Sequence, residues 1–214
     1  MAKHLVFDLD ELRQDCDEVN PLDAQQTVKE LTIKLKKYDD IYALSAPQIG
    51  IKERVICIKF NDNVIKEYIN PMILKSEGLH LVRERDISIP DQEFISPRPN
   101  KILVRYQTST AKPEENILKD SVAEVFDRMM HYLQGVTLED YGLPILDGFD
   151  DLEPDEQQKI ISMYLESLKK REVLLNDNIE NDPDAKELRD AIRFMEAVDK
   201  GEVTLGDPSL LKKD

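Results

Sequence analysis

Apolar and polar residues alternate along the chain with two distinct periods. Residues 22–38 carry Val28, Leu31, Leu35 and Tyr38 at helical spacing, which predicts an amphipathic helix. Val55-Ile56-Cys57-Ile58-Lys59-Phe60 reads as a strand, and so does Lys101-Ile102-Leu103-Val104-Arg105-Tyr106. Glu67-Tyr68-Ile69-Asn70-Pro71 predicts a short strand stopped by its proline. A second helical stripe, Leu118, Val122, Val125, Met129 and Leu133, predicts a helix over 117–134. Two further helices are expected beyond it. One covers about 155–176 with Ile160, Ile161, Tyr164, Leu168 and Leu175. The other covers about 183–199 with Leu188, Ile192, Met195 and Val198, opened by Asp182-Pro183 and closed by Gly201. These stripes are read as packing surface, giving an α+β region in front and an α-helical region behind.

Charge divides the chain at nearly the same place. From residue 139 onward acidic residues outnumber basic ones 21 to 10, against 23 to 19 before it. A boundary is therefore expected in 142–150, with domains at 1–141 and 142–214, the second an acidic helical extension. The net charge of −15 over 214 residues argues against binding nucleic acid or an anionic membrane surface. No apolar run approaches the length of a membrane span, and MAKHLVFDLDELRQD has no apolar signal core. The expected location is intracellular.

Cysteine and histidine chemistry is sparse. Cys16 and Cys57 are too few for a disulfide scaffold, and no zinc-type spacing occurs. Cys57, inside an apolar strand, is expected to be a small buried hydrophobe. Acidic neighbours make Cys16 a poor nucleophile. His4 and His80 are read as structural or surface residues.

Three segments carry a resemblance when taken in order. Residues 44–50 read Leu-Ser-Ala-Pro-Gln-Ile-Gly, residues 84–90 read Glu-Arg-Asp-Ile-Ser-Ile-Pro, and residues 128–135 read Arg-Met-Met-His-Tyr-Leu-Gln-Gly. Ile69-Asn70-Pro71 and Ser96-Pro97-Arg98-Pro99 lie between them. Over about residues 20–141 the chain resembles the peptide deformylases, whose motifs are GxGLAAxQxG, EGCLS and HExDH. The resemblance implies a fold of small antiparallel sheets around a central helix. It also implies a divalent metal held by one cysteine and two histidines, a glutamate that moves the proton, and a glutamine that stabilises the oxyanion.

At those positions this sequence differs. The resemblance places the cysteine ligand on Asp86, the histidine ligands on Arg128 and Tyr132, and the glutamate on Met129. The two motif-one glycines fall on Ile41 and Ala43, and Gln48 alone is kept. Arginine offers no lone pair to a metal and methionine moves no proton. Ile41, Met129 and Tyr132 also bring bulk that could fill the old pocket. The expectation is a catalytically inactive, deformylase-like pseudoenzyme without cofactor. It would serve as a structural or protein-binding part of a multi-subunit assembly, such as the tail or baseplate of a bacteriophage virion.

The alternative expectation is a metal-dependent peptide or amide hydrolase. Its ligands would be Asp86 with Asp127 and His131, which lie four apart on one helix. Gln48 keeps two readings: a backbone hydrogen bond in the core, or a grip on a peptide carbonyl. A third reading is a non-catalytic binder of extended peptides at a free sheet edge.

Overall fold

The computed structural model describes residues 4–61 and 64–176. They form two compact units. The first takes the chain up to residue 77, then 86–90 and 99–140. The second takes 78–85, 91–98 and 141–176. The helix expected over 183–199 lies outside the described residues. The class is α+β, as the alternation of periods predicts.

In the first unit, β1 (Ala43–Ser45) pairs antiparallel with β2 (Val55–Asn61), and β2 with the front of β3 (Val64–Asp86). Next come the back of β4 (Ile89–Gln107) and then β5 (Pro113–Lys119), antiparallel to β4 from Lys101↔Lys119 to Gln107↔Pro113. Residues 55–58 of β2 are buried on both faces, so that stretch is apolar throughout. Its alternation sorts the side chains. Ile56 and Ile58 join one apolar cluster with Tyr68, Ile102, Phe126, Met129 and Leu133. Val55 and Cys57 join a second cluster with Leu31, Leu35, Leu44 and Ile69. Helix α3 (Asp120–Leu133) supplies the first cluster and α2 (Gln25–Lys37) the second, after a short α1 (Leu9–Leu12). Three lysines, Lys34, Lys36 and Lys37, crowd the last turn of α2, where they complement the helix dipole.

Two expectations about element boundaries are corrected. Pro71 does not stop its strand, since β3 runs on to Asp86. The ladder to β2 has already ended at Val55↔Ile69, so the missing proline N–H costs no bond to that neighbour. Asn70, at φ +49°, instead pairs through its side chain with Val19, accepting at 3.0 Å and donating at 2.8 Å. The second helix also begins later than the apolar stripe suggests. Leu118 is a strand residue paired with Ile102, and α3 opens at Asp120.

Helix α3 stops at Gly135, which follows its cap with φ +69°. Val136 N donates to His131 O at 2.9 Å and Gly135 N to Tyr132 O at 3.2 Å, the pattern of a left-handed helix terminus. A side chain here would lie 2.9 Å from the backbone of Arg13 and Gln14, so glycine is required twice over. A short helix α4 (Leu138–Tyr141) follows.

The second unit is a smaller assembly. Strand β6 (Leu143–Pro144) pairs with β4 at Phe94↔Pro144 and Ile95↔Leu143. Helix α5 (Pro154–Asn176) opens on a proline, the position where its absent N–H is harmless. Its buried face is Ile161, Leu165 and Leu168, packed with Leu81, Ile95 and Phe149. Ile160, included in the expected stripe, is exposed. Arg83 ties β3 to Glu93 at 2.6 Å and to Asp150 at 2.8 Å. Deeper in this unit, Arg98 pairs with Glu84 at 2.8 Å, and the Ser96 hydroxyl donates to the same carboxylate.

Candidate active site

Three chain segments of the first unit converge on one carboxylate. The first is the 3-10 turn Ala46–Ile49 that follows β1. Ser45 and Gln48 close it as a capping box. Ser45 N donates to Gln48 Oε1 at 3.1 Å and the Ser45 hydroxyl to the same oxygen at 3.2 Å. A backbone N–H can only donate, so the amide oxygen must face Ser45. The Gln48 Nε2 donors are thereby turned the other way, to Asp86 Oδ1 at 3.2 Å and the Ser88 hydroxyl at 3.3 Å.

The second segment is the two-residue turn Ile87–Ser88 between β3 and β4. Asp86 ends β3 and is only 6% exposed. Its Oδ1 accepts from Ser88 N at 2.8 Å, an Asx-type turn that fixes the carboxylate relative to its own backbone.

Helix α3 is the third. Arg128 and Tyr132 are one helical turn apart and therefore share a face. Tyr132 donates its hydroxyl to Asp86 Oδ1 at 2.8 Å, while Arg128 Nε lies 3.5 Å from Asp86 Oδ2. One carboxylate oxygen thus takes three donors and the other faces a guanidinium.

Four of the five positions singled out in the sequence therefore meet: Gln48, Asp86, Arg128 and Tyr132. Met129 does not join them, being buried in the apolar cluster of α3 with Tyr68 and Phe126. Ile41 packs in the α2 cluster and Ala43 in the α3 cluster. Tyr132 does not simply plug a pocket with aromatic bulk, because its hydroxyl serves Asp86. Gln48 makes the buried backbone hydrogen bond of its first reading. Its oxygen serves the Ser45 backbone and its nitrogen serves the site.

A metal ion does not fit the residues found here. Asp86 Oδ1 is occupied by three hydrogen bonds, and a fixed positive charge stands at Oδ2, where it would repel a cation. Asp127 and His131 are both buried on α3. They do not complete a ligand set with Asp86. Among the described residues no group of three or more His, Cys, Asp or Glu side chains is placed to hold a metal.

Ser45 and Ser88 contribute to the centre although neither is among the candidate site residues, and for Ser45 a local signal exists. Ser-x-x-Gln at residues 45–48 is the capping-box spacing. No comparable local signal marks the Glu84, Ser96 and Arg98 cluster, which forms only when two strands pair.

Known proteins resemble this chain over the same region. The family model described as polypeptide deformylase matches residues 2–143, which contain every residue of the centre. A peptide deformylase of Syntrophomonas wolfei is 34% identical over 103 residues, covering 46% of this chain and 67% of the relative. The crystal structure of the Thermotoga maritima peptide deformylase superposes with a TM-score of 0.61 at 26% identity, over 66% of this chain and 97% of that one. A probable peptide deformylase from Synechococcus phage S-SSM7 gives a TM-score of 0.59 at 26% identity, over 65% and 99%.

These relatives carry the names of enzymes, the phage protein included. The expectation of a pseudoenzyme serving as a structural virion, tail or baseplate component is therefore corrected. That expectation equated lost metal ligands with lost chemistry. The structure instead refills the ligand positions with groups that carry protons and charge around a buried carboxylate. No described helix is long and apolar enough to cross a membrane. With residues 2–143 matched and the deformylase architecture reproduced, the chain belongs to the polypeptide deformylase family.

Proposed function

We propose that the protein hydrolyses the formyl amide at the amino terminus of a peptide, the reaction its relatives are named for. The observation that carries this reading is the meeting of Gln48, Asp86 and Tyr132 in one buried centre, with the Gln48 amide locked so that its N–H groups face inward.

In this reading the formyl oxygen takes the place of Asp86 on Gln48 Nε2, and those donors stabilise the charge that develops on it. Asp86 accepts a proton from water as the water oxygen bonds to the formyl carbon. The carbon–nitrogen bond then breaks and the proton passes to the leaving nitrogen. Formate and a free amino terminus result. Tyr132 and Ser88 hold Asp86 Oδ1, so Oδ2 is the oxygen that takes the proton. Arg128 keeps that oxygen oriented.

The test uses a formyl-methionyl peptide, with release of primary amine and formate measured together. The full chain is expected to release the two in equal amounts. Asp86→Asn and Gln48→Ala should each lower the rate by about 100-fold or more. A folded wild-type protein that releases no amine above the blank overturns the reading.

A further inference from the structure

The residues of the centre disagree with the metal its family implies, and the disagreement has a definite shape. Arg128 stands where the resemblance places a histidine ligand, and it meets the carboxylate that stands where the cysteine ligand belongs. We propose that the Arg128 guanidinium is the built-in cation of this site, taking over the charge that a divalent ion supplies in a metal centre.

Charge, geometry and burial support the exchange. The side chain of Asp86 is 2% exposed and that of Arg128 is 15% exposed, so the pair is largely withdrawn from water. A buried carboxylate needs a positive or hydrogen-bonding partner, because solvent cannot screen it. Three donors serve Oδ1, and Arg128 is placed at Oδ2. The same link joins the end of β3 to helix α3. A guanidinium never loses its proton in a protein, so this cation is permanent and cannot be removed by a chelator.

The inference does not depend on the hydrolysis reading, since its test uses no substrate. Protein purified without chelator is analysed for transition metals, and its melting temperature is followed with EDTA and with added zinc, nickel and iron(II). The expected result is less than about 0.1 equivalent of metal per chain, with melting unaffected by the chelator and the added ions. Removing the cation should expose its weight. Arg128→Met is expected to lower the melting temperature by roughly 6–15 °C, and adding Asp86→Asn to Arg128→Met should recover much of the loss.

About one equivalent of metal in the wild-type protein, or a lower melting temperature in EDTA, overturns the proposal. Arg128→Met melting with the wild type does so as well. Should Arg128→Met fail to fold, Arg128→Lys gives the second reading. It keeps a positive charge and is expected to fold, still without metal and still indifferent to EDTA, whereas metal uptake or chelator sensitivity in that variant overturns the proposal.

Discussion

The Tyr132 hydroxyl donates to Asp86 Oδ1 at 2.8 Å, joining helix α3 to the hairpin turn after β3 through one hydrogen bond between buried groups. Tyr132 is fully buried, so its ring is packed whether or not the hydroxyl is present. Deleting the oxygen alone therefore isolates the bond from the packing.

Tyr132→Phe should cost about 1–2 kcal/mol of stability, the weight of one hydrogen bond to a carboxylate that keeps its other donors. Urea unfolding measures this. A loss near 4 kcal/mol would mean that the hydroxyl supports more than Asp86.

Two ion pairs of the second unit should behave differently. Glu84 and Arg98 are buried, with side-chain exposures of 7% and 1%. Glu84→Gln takes the charge of this buried carboxylate away from the guanidinium and should cost about 3–5 kcal/mol. Asp150, by contrast, meets Arg83 from an exposed position, so Asp150→Asn should cost about 1 kcal/mol or less. Equal losses in the two variants would contradict the burial argument.

Gly135 and Gly148 both have positive φ, yet they should tolerate alanine unequally. Gly135→Ala adds a Cβ that meets the backbone of Arg13 and Gln14 at 2.9 Å. Its cost is expected to exceed about 2 kcal/mol, the left-handed penalty plus the displacement of the bend that follows α1. Gly148 has nothing within 4 Å, so Gly148→Ala should cost only about 1 kcal/mol, from conformation alone. Chemical denaturation of the two variants gives the comparison directly.

The cysteines predict an alkaline limit to stability. Burial pushes the Cys57 thiol up to about 12, with Glu67 adding to the shift, and burial pushes Cys16 up to about 11. In the unfolded chain a thiol ionises near 8.5, so above that pH the unfolded state gains a charge that the folded state resists. The thiol contribution is complete below about 8.5 and is lost as pH rises toward about 11 for Cys16 and about 12 for Cys57. Thermal melts from pH 8 to 11 should fall more steeply for the wild type than for Cys16→Ala with Cys57→Ala. Identical slopes would show that other groups set the alkaline limit.

Much of the architecture is legible in the sequence. The apolar run Val55–Phe60 is a strand, and the stripe through Met129 and Leu133 lies on a helix, because periodicity is imposed by what each face must bury. The boundaries were less legible. Leu118 fits a helical stripe by spacing, but pairing with Ile102 makes it a strand residue. Pro71 looked like a stop because a proline's cost depends on which neighbour its absent N–H would have met. Ile160 looked buried, and only the packing of α5 shows that the face turns toward Ile161 and Leu165.

The site divides the same way. By itself the sequence determined the family, through short segments in a set order, and which residue types stand at the metal positions. It could also have shown that Ser45 and Gln48 cap one turn, since that contact spans three residues. Tertiary structure alone decided that Asp86 would be met by Gln48, Tyr132 and Arg128 at once, while Met129 turned into the core. Residues 48, 86 and 132 are far apart along the chain, and no local propensity encodes their meeting. Sheet pairing and helix packing bring them together, and with that a list of missing ligands becomes a closed centre of donors around one carboxylate.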